Sequence, residues 1–156
     1  MIELAVVVGI IALLASLTIQ NILRARSTSN EGAAVGNLHG LMQSLQMYQA
    51  QHNGFPSDWQ ADMFTSANPP YASPAFNVPM TDSVVQGYLY TYEYVPGPAI
   101  CPSACSAYIL RANPQTEGWL GTRAFYADQT GRIRHCTGAG PGHATDALIT
   151  EAPTAC

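Results

Sequence analysis

Histidines and cysteines are the residues of this chain that could support catalysis or metal binding. The histidines are His39, His52, His135 and His143. None has a nucleophile or a paired carboxylate at a useful spacing, and the sequence has no glycine-rich phosphate loop. The sequence therefore predicts no catalytic residue and no enzyme activity.

The cysteines lie in two groups that lack the spacing of a metal or haem site. Cys101 and Cys105 are separated by three residues, and Cys136 directly follows His135. A zinc site would need a second closely spaced pair, and covalent haem attachment would need a Cys-x-x-Cys-His motif. The sequence has neither pattern, so we expect no metal ion and no cofactor.

Four cysteines without metal spacing indicate disulfide bonds and an oxidising compartment. Three connectivities are possible for four cysteines. A turn containing Pro102 could join Cys101 to Cys105 locally. Cys136 ends a predicted strand, and a bond to the last residue, Cys156, would attach the tail to that strand. We therefore predict the pairs Cys101–Cys105 and Cys136–Cys156.

One carboxylate, that of Glu3, lies in an otherwise apolar N-terminal segment. Residues 4–19 contain no charged residue and no proline, and Met1 and Ile2 extend the apolar run. A carboxylate beside such a run is costly in lipid unless a positive group pairs with it. Glu3 could also favour the start of a helix through the helix dipole, so both roles remain open.

The apolar run is long enough to cross a membrane as a helix. A span needs about 20 apolar residues, and every face of this helix is apolar, so lipid or other protein must cover it. Arg24 and Arg26 follow the run directly. Because a signal peptide would have a basic start and a shorter apolar core, we expect a membrane-spanning segment over residues 1–23.

The helical pattern continues beyond the apolar run as an amphipathic helix. Apolar residues recur at helical spacing in two rows, one of Val35, Leu38, Met42 and Leu45 and one of Leu41, Leu45, Tyr48 and His52. Asn53 and Gly54 supply a left-handed helix end, and Pro56 prevents continuation. The two halves form one helix of about 50 residues, so one half must project from the rest of the chain.

Small residues repeat every four positions along the amphipathic half. They are Thr28, Gly32, Gly36, Gly40 and Ser44. Each glycine inside a helix costs ~1 kcal/mol relative to alanine, so three in a row favour a packing role over a weak helix. We expect Gly32, Gly36 and Gly40 to form a stripe on which another backbone packs closely.

The rest of the chain has the pattern of a small β domain. Residues 57–83 are rich in Pro, Ser, Ala and Asn and predict a surface loop with one helical turn around Asp58 to Phe64. Four strands are predicted, at residues 87–95, 105–112, 123–127 and 133–136. Residues 138–156 are expected to form a loop. Four antiparallel strands packed on the amphipathic half-helix predict an α+β fold with two parts, residues 1–23 and 24–156.

Composition argues against other classes of protein. The 156 residues have a net charge of −4, and only 10% are charged, against ~25% in ordinary domains. No basic cluster exceeds the pair Arg24 and Arg26, so we expect no specific nucleic-acid site. The 14 aromatic residues and ample apolar content argue against a disordered chain.

The N-terminal residues resemble those of bacterial type IV pilins. In residues 2–31 a glutamate precedes an apolar run that continues into an amphipathic helix, as in that family. Weaker similarity extends to Tyr48, to Gly54-Phe55-Pro56 and to residues 121–133. The resemblance implies the type IV pilin fold.

Two departures from the family pattern concern the N-terminal helix. In type IV pilins the glutamate is the fifth residue after the leader cleavage point, so either two further residues precede Met1, which we expect, or the processing of this chain differs. Many pilins also have a proline near the end of the apolar run, where this chain has Gln20.

The resemblance implies a subunit that polymerises with copies of itself. The apolar half would reside first in the inner membrane, after cleavage by a prepilin peptidase, and the pilus assembly machinery would then move it into an extracellular pilus. Glu3 would pair with the N-terminal amine of a neighbouring subunit. The residues expected in the filament core are Leu4, Val7, Val8, Ile11 and Leu14.

Three functions are compatible with these patterns. The first is the major subunit of a surface type IV pilus that serves adhesion, twitching motility or DNA uptake. The second is a type II secretion pseudopilin that forms a short periplasmic pseudopilus. The third is a single-pass anchored binding module, which leaves Glu3 unexplained. We call residues 24–156 the head, and a disulfide-bonded head favours the pilus.

Overall fold

One long helix carries a small sheet beside its C-terminal half. The structure, a computed structural model, describes residues 2–81, 83–96, 107–138 and 140–156, with the backbone alone for residues 17–20. The helix α1 spans Ile2–His52, which is 51 residues. Asn53 has a left-handed backbone conformation, with φ of 55°. The helix therefore ends where the Asn-Gly pair predicts its end.

Only the second half of α1 has a buried face. Among the described side chains of α1, Ser27 is the first that is buried. Leu38 and Leu45 are completely buried, and Leu41 and Met42 lie beside them. These positions belong to the two predicted apolar rows, whereas the C-terminal member of the second row, His52, is exposed.

Seven strands form one sheet within the described residues. They are β1 (Ser83–Val85), β2 (Tyr88–Val95), β3 (Ala107–Pro114), β4 (Arg123–Asp128), β5 (Ile133–Thr137), β6 (Ala147–Leu148) and β7 (Thr154–Ala155). Strands β1 to β6 pair in sequence order as antiparallel neighbours, and β7 pairs with β5 in parallel. The four long strands, β2 to β5, correspond to the predicted ones. The predicted α+β fold is confirmed.

Short strands lie within the predicted tail loop and at the end of the loop predicted over residues 57–83. The prediction of a loop over residues 138–156 is wrong for β6 and β7. Both strands pair with the edge of β5 that lies opposite β4. The three residues of β1 likewise pair with β2. Backbone groups at a sheet edge need partners, but strands of two or three residues are too short to produce a detectable alternation.

The core lies between α1 and one face of the sheet. Tyr88, Tyr90 and Tyr108 are fully buried on that face. The segment between α1 and β1 closes the core with further aromatic residues. One of them, Trp59, is buried and donates its indole N–H to the carbonyl of Phe76 at 2.9 Å. This segment contains a π-helical turn (Ala61–Thr65), near the predicted one, and a 3-10 turn (Pro74–Phe76).

The strand directions define two ends of the head. Strand β2 begins beside the middle of α1, where Asn37 donates to the Tyr90 hydroxyl at 3.1 Å. It ends beyond the helix terminus, where the Tyr92 hydroxyl donates to the Pro56 carbonyl at 2.7 Å. The β1–β2 turn (residues 86–87) and the β3–β4 loop (residues 115–122) therefore lie at the end from which the apolar half emerges. We call these two segments the lower rim.

Candidate functional site

The described side chains of residues 2–16, in the apolar half of α1, are exposed on all faces of the helix. The predicted filament-core residues have exposed fractions of 70% for Leu4, 53% for Val7, 64% for Val8, 60% for Ile11 and 62% for Leu14. Ile2, Ile10 and Leu13 on the other faces are just as exposed. By length and composition α1 can cross a membrane. Such a surface needs lipid or protein around it.

Glu3 lies in the first turn of this exposed helix. In the described part of the chain, the ion pairs are Arg111–Glu93 and Arg123–Glu31. Neither of them involves Glu3. The pairing of this carboxylate with a neighbouring subunit stays a prediction.

A second glutamate of α1, Glu31, connects the amphipathic half to the sheet. Its carboxylate oxygen Oε1 accepts the backbone N–H of Thr122 at 2.8 Å and the Thr122 hydroxyl at 2.7 Å. The other oxygen, Oε2, accepts Nε and Nη2 of Arg123 at 2.8 and 2.7 Å. Both oxygens are thus used twice, although the residue is buried. This cluster positions the start of β4 against the helix.

The cluster also determines the protonation of Glu31. Burial by itself raises the pKa of this carboxyl, because desolvation disfavours the charged form. The hydrogen bonds from Thr122 and the hydrogen bond and positive charge of Arg123 act in the opposite direction and outweigh burial. The pKa of Glu31 is therefore below its usual value, and the carboxyl is ionised at neutral pH.

The polar network continues through His135 to the tail. Nη1 of Arg123 lies 3.4 Å from Nδ1 of His135, and Nε2 of His135 lies 3.1 Å from the carbonyl oxygen of Glu151. Because a carbonyl only accepts, Nε2 carries the hydrogen, and Nδ1 then accepts from the guanidinium. The buried His135 thereby links β4, β5 and the tail, and this contact pattern is structural.

Sequence analysis did not identify Glu31 or Arg123 as a pair, although each carries a signal. Glu31 precedes Leu38 by seven residues and Leu45 by fourteen, which places a charge on the buried face of α1. Arg123 alternates with Phe125 and therefore faces the core with it. In the structure its guanidinium lies 5.7 Å from the Phe125 ring centroid.

The three glycines of the small-residue stripe are exposed on α1. No described atom other than the local helix backbone lies within 4 Å of a Cβ built on Gly32, Gly36 or Gly40. Gly36 and Gly40 border a shallow cavity of about 220 Å³ that Phe76 also lines. The expected close approach of a backbone is thus not made by the described part of this subunit, and for a second chain it stays a prediction.

The cysteines and histidines have no arrangement suited to chemistry in the described ranges. Cys136 and Cys156 form a disulfide bond, with Cα atoms 4.9 Å apart. The predicted Cys101–Cys105 pair lies outside the described residues. Among the described residues, no group of three or more His, Cys, Asp or Glu side chains is placed to hold a metal ion.

Comparison with known proteins supports the pilin resemblance over part of the chain. No protein-family model matches the chain. A Thermus thermophilus protein described as "Type IV wide pilus major component PilA4" is 36% identical over 61 residues. The match covers 39% of this chain and 47% of that protein, so the chain spans about half the length of the curated relative it matches. Together with the long apolar helix and the antiparallel sheet, it confirms the resemblance to type IV pilins.

Proposed function

We propose that this chain is the repeating structural subunit of a helical type IV pilus. The observation that carries the proposal is a helix with one half packed in a folded head and the other half apolar, with the described side chains of residues 2–16 exposed on every face. The similarity to a major pilus component supports it. The role is therefore structural rather than enzymatic.

The apolar half stabilises the assembled filament outside the membrane. Packing of about 20 apolar residues among neighbouring helices there keeps on the order of 1,500 Å² out of water, so a subunit that left the filament into water would lose tens of kcal/mol before the gain from disordering. Head-to-tail contacts of this kind do not close, and they therefore extend into a fibre. Leu4, Val7, Val8, Ile11 and Leu14 form the face that we place in the filament core.

Glu3 gives this assembly its register. In the filament core an unpaired carboxylate costs several kcal/mol, and the amine at a neighbour's N-terminus is the positive group available there. Since one partner without the other is unfavourable, subunits that are out of register are disfavoured.

Before assembly the subunit resides in the inner membrane through the same half-helix. Residues 1–23 then form the membrane segment and residues 24–156 the head outside it. A prepilin peptidase and the pilus assembly machinery are the protein partners of this stage, and the extracellular pilus is the final location. Adhesion, twitching motility and DNA uptake are the functions that such a filament serves.

The stripe of Gly32, Gly36 and Gly40 is proposed as a contact between subunits. Since the described subunit has no atom close to these positions, Gly36→Val should leave the head folded and reduce filament yield. Normal yield from this variant would show that the stripe makes no close contact.

Electron microscopy of filaments sheared from cells tests the proposal. Long thin filaments that contain this chain by mass spectrometry are the expected result. A type II secretion pseudopilin would instead leave the sheared fraction empty, with the chain confined to short periplasmic assemblies. A membrane-anchored binding module would form no polymer in either fraction.

A further inference from the structure

We propose that Trp119, on the lower rim, anchors the head of the unassembled subunit to the polar surface layer of a lipid bilayer. Arg24 and Arg26 of α1 provide the accompanying electrostatic attraction. The inference rests on the proposed function, because it requires that the apolar half of α1 spans a membrane before assembly. The partner is the lipid headgroup region itself.

The two tryptophans of the chain differ sharply in exposure. Trp59 is 5% exposed, whereas Trp119 is 64% exposed. In the part of the chain that the structure describes, the Trp119 indole makes no hydrogen bond and no ring contact. A tryptophan has an apolar body and one polar N–H, so it is most stable where one end meets hydrocarbon and the other meets water.

The loop that carries Trp119 is fixed to α1. The Leu120 carbonyl accepts the side-chain N–H of Asn30 at 3.0 Å, and Thr122 binds Glu31. Gly121 lies so close to the Tyr88 hydroxyl that a side chain there would clash with it. Trp119 is therefore held at a defined height along the helix and does not extend from a loose loop.

This height corresponds to the surface of a bilayer. Twenty uncharged residues separate Glu3 from Arg24, and at 1.5 Å per residue they span ~30 Å, the thickness of a hydrocarbon core. Asn30 is six residues, or ~9 Å, beyond Arg24. Because helical side chains lean toward the N-terminus, the Leu120 contact lies closer to the bilayer than Asn30 itself. The polar layer is roughly 5–8 Å deep on each side.

The packing of α1 agrees with this placement. Ser27 is buried and Leu23 is half-buried, so the head packs on α1 as far as the end of the apolar run. The head therefore sits directly on the membrane segment, without an exposed helical spacer that would lift the lower rim away from the lipid.

The charges near the lower rim favour an anionic surface. Arg24 and Arg26 are exposed at the end of the apolar run, where basic residues near anionic lipid are attracted to its surface. Glu117 is exposed on the lower rim and opposes this attraction with a single negative charge. Two positive charges near the surface and one tryptophan therefore form the anchor.

Depth-dependent fluorescence quenching tests the inference. The Trp59→Phe chain, full length and reconstituted in vesicles of phosphatidylcholine and phosphatidylglycerol, has Trp119 as its single tryptophan. Lipids brominated near the top of the acyl chain should quench its emission about twofold, as expected for an interfacial indole, and aqueous iodide should quench it weakly.

A matched control moves the indole to the opposite end of the head. In a chain with Trp59→Phe and Trp119→Phe, Gln129→Trp places the single tryptophan in the exposed turn between β4 and β5. Iodide should quench this residue strongly, and brominated lipid should not. In the chain that keeps Trp59, Trp119→Phe should abolish lipid quenching and leave the emission of buried Trp59.

A membrane probe separates failure of the inference from failure of the proposed function. Leu13→Trp in the same tryptophan-free background reports whether the apolar half is in lipid. Deep quenching of this residue without quenching of Trp119 would overturn the inference and leave membrane residence intact. Absence of both signals would overturn both. If Trp119 were protected from iodide in filaments but not in vesicles, the lower rim would contact a second copy of the chain, and the lipid anchor would be overturned.

Discussion

The two halves of α1 share one continuous backbone but have opposite environments. The described side chains of residues 2–16 are all exposed, whereas Leu38 and Leu45 of the second half are completely buried. Both halves are helical, so secondary structure does not distinguish them. The difference is the location of the partner surface. The second half packs on the chain's own sheet, and the first half presents its apolar surface to something outside the head.

The same contrast separates two glutamates on this helix. Glu31 receives four hydrogen bonds from Thr122 and Arg123 of its own chain. Glu3 has no ion pair within the described residues. Folding of the chain itself therefore satisfies the carboxylate of Glu31, whereas for Glu3 we propose that assembly supplies the partner.

Deleting residues 1–24 should produce the largest effect, complete loss of membrane insertion and of filaments. The head should remain a soluble, folded monomer, because none of the side chains that the structure describes in the deleted segment is fully buried. Circular dichroism and analytical ultracentrifugation measure these properties. An unfolded fragment would show that the two halves of α1 are not separable.

Replacing Glu3 by alanine should leave the subunit folded and membrane-inserted but reduce filament yield at least about tenfold. The loss of its charge leaves the neighbour's buried amine unpaired, which costs several kcal/mol. Glu3→Gln should be similarly defective, because it keeps the size and hydrogen-bonding groups but not the charge. The measurement is filament yield by shearing and microscopy, beside the subunit level in membranes by immunoblot.

The helix-dipole role of Glu3 makes a different prediction. It is worth under ~1 kcal/mol and would tolerate both substitutions. Normal filaments from Glu3→Ala at a normal subunit level would therefore show that assembly does not require charge pairing and depends on apolar packing.

Removing the Cys136–Cys156 bond should destabilise the head by about 3 kcal/mol, since it closes a loop of about 20 residues in the unfolded chain. The variant is Cys136→Ala with Cys156→Ala, and urea unfolding of the full chain in detergent micelles is the measurement. Replacing Cys101 and Cys105 by alanine is the matched control and should cost less, because that loop is much shorter. A Cys101–Cys136 link in non-reducing peptide mapping would contradict the pairing.

The sequence predicts the long elements because their patterns repeat. The end of α1 at His52 follows from Asn53 and Gly54, and the alternation of tyrosines predicts β2. Strands β6 and β7 escape prediction because two residues cannot show a period. Their position depends on the open edge of β5, which belongs to a different part of the chain.

The Glu31–Arg123 pair shows a different limit. Each residue has a local signal, namely a charge at a core-facing position. The partners are 92 residues apart in the chain. Helical and strand periodicity predict which residues face the core, but they do not predict which helix position contacts which strand. That match depends on the packing of α1 on the sheet. The proposed assembly contact of Glu3 is harder still to predict from the sequence, because it would involve another chain.

Replacing Glu31 by glutamine should reduce the free energy of unfolding of the head by about 2 kcal/mol at neutral pH. Removal of one partner from a buried pair typically costs 3–5 kcal/mol, but Arg123 is one-third exposed and water can solvate it in part. The matched control is Glu93→Gln, which removes the exposed pair with Arg111 and should cost under ~1 kcal/mol. Equal losses in the two variants would show that the Glu31 cluster is not a special contact.

Acid should weaken the head through the same carboxyl, with a smaller effect. The pKa of Glu31 is lower in the folded chain than in the unfolded chain. The contribution of Glu31 to the free energy of unfolding is therefore fully present above the ordinary glutamate pKa of ~4.3, and it is lost as the pH falls through the lower pKa of the folded state. The free energy of unfolding should therefore fall in this acidic window, and Glu31→Gln should make the fall shallower. Glu93→Gln should keep the steep fall of the unmodified chain.

Urea midpoints of the full chain in detergent micelles, measured between pH 6 and pH 3, give the three slopes. If the unmodified chain and Glu31→Gln lost stability in parallel, the hydrogen bonds from Thr122 and Arg123 would not hold the charged form, and the contrast between the two glutamates of α1 would reduce to burial alone.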